Sequence, residues 1–162
     1  MTTSFSASLE AAGQLIEDEM EMVFLGAAQD ASELMTRRQE SMWNSATGKQ
    51  QRAGFDIGFV PVDSGELINS VEVRLDGSAI AKGGNKAPPD FAASLGGMTL
   101  DTVAEVVFTA EHARPMEYGF RVGDDDTDDE TGDVDVPGRF FVLGAVQSWD
   151  EIVEANVRYI KE

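Results

Sequence analysis

The sequence contains no cysteine and only one histidine, His112, and both scarcities limit its chemistry. Without cysteine, the chain has no disulfide framework, no thiolate zinc site and no cysteine nucleophile. A lone histidine excludes a multi-histidine metal site, and no Gly-x-Ser-x-Gly nucleophile elbow is present. We therefore expect no enzymatic activity, no cofactor and no metal, and a stability that comes from packing or assembly.

Basic residues and long apolar runs are also scarce. Twelve Lys and Arg stand against 30 Asp and Glu, which gives a net charge of −18. A duplex-binding surface needs basic side chains to displace counterions, so DNA recognition is disfavoured, whereas a like-charged pore would let DNA slide through. No apolar run approaches the ~20 residues that cross a bilayer, and the N-terminus is acidic. These features predict a soluble, unexported protein without a membrane partner.

The length and composition of the chain fit one domain over residues 1–162, and 42% of its residues are hydrophobic and can build a core. We divide it into a helical region, 1–46, and a region of sheet, loops and C-terminal helix, 55–162. Apolar residues recur at spacings of three and four from Ser4 to Ser45, which predicts one long helix. Some 40 residues would span ~60 Å. Either Gly26 breaks this helix into two packed pieces, or part of it projects and another subunit covers it.

The region after this helix predicts short elements in a small sheet. Residues 55–59 alternate apolar and polar and predict an extended segment, and the pair Asp63 and Glu66 resembles a capping box before helical turns at 64–69. Strands are predicted at 70–75 and 103–109, antiparallel to each other. A short helix or turn is predicted at 111–118 and a final helix at 139–159. The fold class is therefore α+β, a small antiparallel sheet packed by a long N-terminal helix and a C-terminal helix, with long loops.

Two long loops are the candidate functional surfaces. Residues 76–102 are rich in glycine and too long for a hairpin turn, so we expect a mobile loop that contacts neighbouring subunits. Its candidate contact residues are Lys82, Lys86, Phe91 and Leu95. The second loop precedes Pro137 and carries the acidic residues Asp124, Asp125, Asp126, Asp128, Asp129 and Glu130. Carboxylates suit calcium, but an EF-hand counted from Asp124 would place Asp129 where glycine is needed, so a solvated loop is the favoured interpretation.

Three stretches follow one another in the sequence at residues 60–71, 112–119 and 136–141. Their residues suit turns and helix caps, which shape the fold. Together they resemble the tail-completion, or head–tail joining, family of long-tailed bacteriophages. That family has a Pro-x-Asp-Thr-Gly-x-Leu-x-x-Ser segment, a Tyr-Ala-x-x-x-Glu-x-Gly segment and a Pro-x-Phe segment before a closing helix. The matching residues are Pro61, Asp63, Gly65, Leu67, Ser70, Ala113, Glu117, Gly119, Pro137, Phe140 and Phe141, with Ser64 replacing threonine, His112 replacing tyrosine and Pro137 slightly early.

The resemblance covers about residues 55–160 and implies a structural virion protein without enzymatic activity. It implies a homo-oligomeric ring of six copies at the neck, in contact with adjacent connector or tail-tube proteins. DNA would pass through without sequence recognition, and the acidic loop would face solvent or the DNA channel. The protein would be made in the cytoplasm of a bacterial host. Two alternatives stay open, namely an acidic DNA mimic that inhibits a nucleic-acid enzyme and a calcium-dependent binding module.

Overall fold

The computed structural model describes residues 4–39, 43–44, 49–50, 56–62, 64–122 and 134–161. In these residues the helices are α1 (Phe5–Met35), α2 (Glu66–Asn69), α3 (Phe91–Leu95), α4 (Ala113–Tyr118), α5 (Phe141–Gln147) and α6 (Trp149–Lys161). The strands are β1 (Arg38–Gln39), β2 (Trp43–Asn44), β3 (Lys49–Gln50), β4 (Val60–Pro61), β5 (Val71–Leu75), β6 (Ser78–Lys82), β7 (Ala104–Phe108), β8 (Gly119–Val122) and β9 (Val134–Pro137). This combination of helices and small antiparallel sheets confirms the predicted α+β class.

Helix α1 is 31 residues long and therefore spans ~46 Å. It begins at the N-cap Ser4, whose hydroxyl accepts a hydrogen bond from the backbone of Ala7 at 3.3 Å. The helix continues unbroken through Gly26, so of the two alternatives for this helix the break at Gly26 is absent. Its predicted end near residue 45 is wrong, because the backbone leaves helical geometry at the C-cap Thr36, with φ −107° and ψ 10°, and β1 then pairs in parallel with β4.

The three-stranded sheet has the order β6-β5-β7, and both pairs are antiparallel. The pairing of β5 with β7, from Val71 opposite Phe108 to Leu75 opposite Ala104, confirms the predicted partners. Strand β6 was not predicted. It forms because Asp76 and Gly77 both have positive φ, 49° and 78°, which suits the tight turn of a hairpin.

Residues 76–102 are consequently a folded segment and not the predicted irregular loop. After β6, Asp90 caps α3 by accepting a hydrogen bond from the Ala93 backbone at 3.0 Å. The side chains of Phe91 and Leu95 are 4% and 1% exposed. Their prediction as subunit-contact residues is therefore wrong, because α3 turns both toward the core against α1 and β5.

One hydrophobic core joins the sheet to the helices. Its buried members are Val60, Leu67, Ile68, Val71, Val73, Phe91, Leu95, Met98 and Phe141. The rings of Phe108 and Phe141 meet at 5.0 Å between centroids, a favourable distance for a tilted aromatic pair. The core therefore holds α5 against β7, and only the C-terminal part of α1 reaches it, through residues such as Phe24 and Ala28.

Two further predictions differ from the structure. Ile57 and Gly58 form a turn, since Gly58 has φ 81°, so the extended segment is limited to β4 in the described residues. The predicted terminal helix is two helices, because the Ser148 backbone leaves helical geometry and its amide donates to the carbonyls of Gly144 and Ala145.

Strands β8 and β9 pair antiparallel and were not predicted. The acidic residues Asp124, Asp125, Asp126, Asp128, Asp129 and Glu130 lie outside the described residues.

Candidate functional site

Residues 60–71, 112–119 and 136–141, the three stretches that carry the family resemblance, are called the signature stretches below. Glu117 joins the second of them to the third. Its side chain is buried, and its two carboxylate oxygens accept hydrogen bonds from the backbone of Val142 at 3.1 Å and of Leu143 at 2.8 Å. These amides belong to the first turn of α5, where helical donors have no partner within the helix. The N-cap residue Phe140 supplies no capping side chain of its own. A carboxylate from α4 therefore caps α5, which fixes the two helices relative to each other.

Backbone contacts tighten the same junction. The amide of Arg139 donates to the carbonyl of Met116 at 2.9 Å, and that of Phe140 donates to the carbonyl of Glu117 at 3.1 Å. Gly119 has φ 89°, and a Cβ at this position would lie 2.7 Å from the carbonyl oxygen of Val136. A Cβ at Gly138 would lie 2.5 Å from the carbonyl oxygen of Glu117. Only glycine permits these two approaches.

The first signature stretch, residues 60–71, contributes to the same core. Gly65, with φ 87°, is the N-cap of α2, and Leu67 is buried in the core. The Ser70 hydroxyl donates to the Leu67 carbonyl at 2.7 Å, while the Ser70 carbonyl accepts from both the backbone and the hydroxyl of Thr109. These contacts tie the end of α2 to the sheet. The capping role predicted for Asp63 lies outside the described residues.

The remaining signature residues also have structural positions. Pro61 is half-buried in β4, Ala113 packs against the core at the start of α4, and Pro137 is exposed at the end of β9, opposite Gly119. Ser64 is exposed and accepts a hydrogen bond from the Glu66 backbone at 3.2 Å. The signature residues that the structure describes thus build the fold, and their chemistry is that of caps, turns and core contacts.

The two lysines of the predicted contact loop lie on the surface but are engaged within the chain. Lys82 on β6 forms an ion pair with Glu72 at 3.2 Å, and Glu72 also pairs with Arg74 at 3.0 Å. Hydrogen bonds from Arg74 and Lys82 lower the pKa of Glu72 below its usual range. The Lys86 backbone donates to the Asn69 side chain at 2.8 Å and accepts from Arg38 at 3.0 Å. Of the four predicted contact residues, these two keep an exposed side chain.

A polar cluster links the N-terminal region to the start of α5. Gln39 on β1 donates to the carboxylate of Asp56 at 2.9 Å and accepts a hydrogen bond from Arg139. Partial burial lowers the pKa of Arg139, and the nearby Asp56 carboxylate opposes that shift. Arginine remains charged at any physiological pH, so Arg139 is a permanent hydrogen-bond donor in this cluster.

An apolar groove between α1 and α6 is the surface feature most suited to a binding function. It encloses about 440 Å³. Apolar side chains from both helices and the exposed Leu100 line it, and its only charged lining residues are Glu19 and Lys161. The groove-lining residues used below are Ile16, Met20, Val23, Val153, Val157 and Ile160.

The apolar stripe of the groove continues along α1 beyond the rest of the fold. At 100° per residue, Phe5, Leu9 and Ile16 share a face with Met20 and Val23. Every residue from 4 to 20 is exposed, including Phe5 at 85% and Leu9 at 63%. Contiguous exposed apolar surface of this kind marks an interaction site. Sequence periodicity had indicated the stripes on both helices but could not show that they stay uncovered.

Within the described ranges, no helix is both long and apolar enough to span a membrane. The same ranges contain no cluster of three or more His, Asp or Glu side chains that could hold a metal ion. Buried side-chain polar atoms there all have hydrogen-bond partners. The described part of the chain therefore offers a docking groove as its candidate site.

No family model, curated protein or solved structure matches the chain.

Proposed function

We propose that this protein is a structural subunit of a tailed-phage virion that assembles into a homo-oligomeric ring at the neck, without enzymatic activity. The ring completes the tail or joins head to tail, contacts the adjacent connector or tail-tube proteins, and surrounds the DNA channel. The ordered resemblance in residues 55–160 supports the assignment to the neck. The observation that carries self-assembly is the uncovered apolar stripe of α1, which runs from Phe5 into the groove.

The charge of the chain supports the proposed relation to DNA. A subunit of net charge −18 repels a polyanion, so duplex DNA passes a ring of such subunits without being held. The ring should accordingly cause no mobility shift of duplex DNA at physiological salt. Retarded DNA under these conditions would contradict a channel of this type.

The test of the proposed function is virion assembly in the phage that encodes the chain. A stop codon early in the gene should leave full heads and tails that do not join, as seen by electron microscopy of lysates. Supplying the full chain in trans should restore complete particles, and mass spectrometry should find the chain in purified virions. Normal particles produced without the chain would rule the neck function out.

The DNA-mimic alternative rests on the exposed half of α1. That half carries four carboxylates, Glu10, Glu17, Asp18 and Glu19, and no basic residue. A mimic of this kind would compete with duplex DNA for a basic DNA-binding protein. Competition that requires these carboxylates, together with complete virions in the stop-codon phage, would favour this function over the neck. For a calcium-dependent module, the corresponding test is calcium titration of the full chain.

A further inference from the structure

Helix α6 contributes no buried residue to the fold, although it is 13 residues long. One of its faces is nevertheless apolar and lines the groove with Trp149, Val153, Val157 and Ile160. The buried core residues, and the partly buried hydrophobic residues packed against them, all come from other elements. Helix α6 therefore rests on the outside of the fold, chiefly against α1.

We propose that α6 is a hinged cover, which swings away from α1 about Ser148 as one unit while the rest of the fold stays intact. The open state exposes the part of the apolar stripe of α1 that α6 shields in the structure, down to Ala27 at the base of the groove. This opening is a property of the single chain, so it goes beyond the proposed neck function and does not depend on it.

The packing between α6 and α1 is loose. The interior of a stable fold is close-packed and has few voids larger than a water molecule, whereas the groove between these two helices encloses about 440 Å³. Much of the apolar face of α6 thus borders a space and not the surface of α1. Elements with few buried apolar contacts open at a free energy below that of global unfolding.

Polar contacts add little to this packing. The side chain of Asn156 donates to Asp30 at 2.7 Å, and this exposed contact is the one side-chain hydrogen bond between α1 and α6 in the described part of the chain. No ion pair among the described residues joins the two helices, although both carry charged side chains. A single exposed hydrogen bond makes a modest net contribution, because water replaces it when the helix opens.

The boundary between α5 and α6 has the geometry of a hinge. The amide of Ser148 donates to the carbonyls of Gly144 and Ala145 in α5, while its carbonyl accepts from the amide of Ile152 in α6. The two helices thus meet at one residue that belongs to neither, and hinges use such positions at the ends of elements. Helix α5 stays with the core, since Phe141 and Ala145 are 2% and 1% exposed.

A disulfide that locks the cover tests the proposal, because the natural chain contains no cysteine. The full-length double variant carries Asp30→Cys and Asn156→Cys, which replace the hydrogen bond between the helices by a covalent bond on oxidation. The reduced form of the same variant is the matched control. Hydrogen exchange, followed by mass spectrometry, compares the protection of residues 149–161 with that of residues 141–147.

In the natural chain and in the reduced variant, the amides of α6 should be protected at least ~10-fold less than those of α5. Oxidation should raise the protection of α6 by ~10-fold or more above that in the natural chain and leave α5 unchanged. Equal protection of the two helices in the natural chain, or an oxidised variant in which α6 exchanges as before, would overturn the proposal.

Alkylation of single buried cysteines gives a second measurement, which needs no disulfide. Ala27 and Val73 are both 0% exposed, but Ala27 lines the groove whereas Val73 belongs to the core. With excess iodoacetamide, Ala27→Cys should react at least ~10-fold faster than the unfolding equilibrium of that variant predicts, because opening of α6 is enough to expose it. Val73→Cys, the control, should react at the rate that its own unfolding equilibrium predicts. Reaction of both variants only through global unfolding would refute the hinged cover.

Discussion

The carboxylate of Glu117 accepts a hydrogen bond from the backbone nitrogen of Leu143 at 2.8 Å, across 26 positions of sequence. Its other oxygen accepts from Val142. A helix that would normally be capped by its own neighbouring residue is thus capped by a buried acid from another helix. This relationship explains how two of the signature stretches act together, and it makes the fold sensitive to a single side chain.

Replacing Glu117 should therefore be costly. Glu117→Ala removes both acceptors and leaves two amides of α5 without partners, so we expect a loss of about 2–3 kcal/mol in the free energy of unfolding. Glu117→Gln keeps one acceptor and should cost about half as much. Urea denaturation measures both. The exposed Glu111 is the matched control, and Glu111→Ala should change stability by less than about 0.5 kcal/mol. Equal effects at the two positions would contradict the capping role.

Gly119 should tolerate no side chain. Gly119→Ala meets both a strained backbone, at φ 89°, and backbone atoms at 2.7 and 2.8 Å that cannot rotate away. Gly77 provides the comparison, since it has φ 78° and a Cβ added there would meet nothing within 4 Å. Gly77→Ala should cost about 1 kcal/mol for the left-handed conformation alone. Thermal unfolding should show a clearly larger loss for Gly119→Ala, and similar losses would show that the close approach is unimportant.

Gly26 permits the approach of α6 to α1. A Cβ at this position would overlap the Oδ1 of Asn156, whose Nδ2 donates to Asp30 at 2.7 Å. In the natural chain Gly26→Ala should give no net stabilisation, because the displaced hydrogen bond costs about 1 kcal/mol and offsets the similar gain that alanine brings to a helix. In an Asn156→Ala background the same change should stabilise by up to about 1 kcal/mol, because alanine favours helix over glycine.

Gly13→Ala is the control for the comparison of Gly26→Ala in the natural and Asn156→Ala backgrounds. Gly13 lies in the same helix with open space around it. Gly13→Ala should stabilise the helix in both backgrounds. If Gly26→Ala behaved like Gly13→Ala in the natural chain, the close contact with Asn156 would be refuted.

Helix α3 should matter to stability as a part of the core. Leu95 is 1% exposed, and Leu95→Ala should cost about 2–5 kcal/mol through lost burial and a cavity. Leu100, which is 41% exposed, is the matched leucine, and Leu100→Ala should cost well under half of that amount. Chemical denaturation measures both variants. A negligible loss at Leu95 would return the segment to the role of a loop that contacts other subunits.

Local patterns predicted those elements whose signals are contained in a short window. The spacing in residues 5–35 predicted α1, the alternation around Val71 and Val73 predicted β5, and Gly119 marked the end of α4. The hairpin of β5 and β6 was missed, although Asp76-Gly77 is a turn signal, because the surrounding glycines and prolines suggested a loop. The burial of Leu95 carried no local signal, since five helical residues show too little periodicity.

Residue content and residue order were enough to establish the limits set by composition and the amphipathic stripes. The absence of cysteine, the net charge of −18 and the periodicity of α1 are properties of residue order and content, and each has a direct physical meaning. The folded structure was needed to show that Glu117 caps α5, that α3 enters the core and that the stripes of α1 and α6 meet in an open groove. These features depend on contacts between residues distant in sequence, and periodicity alone does not tell whether an apolar face is buried by its own chain.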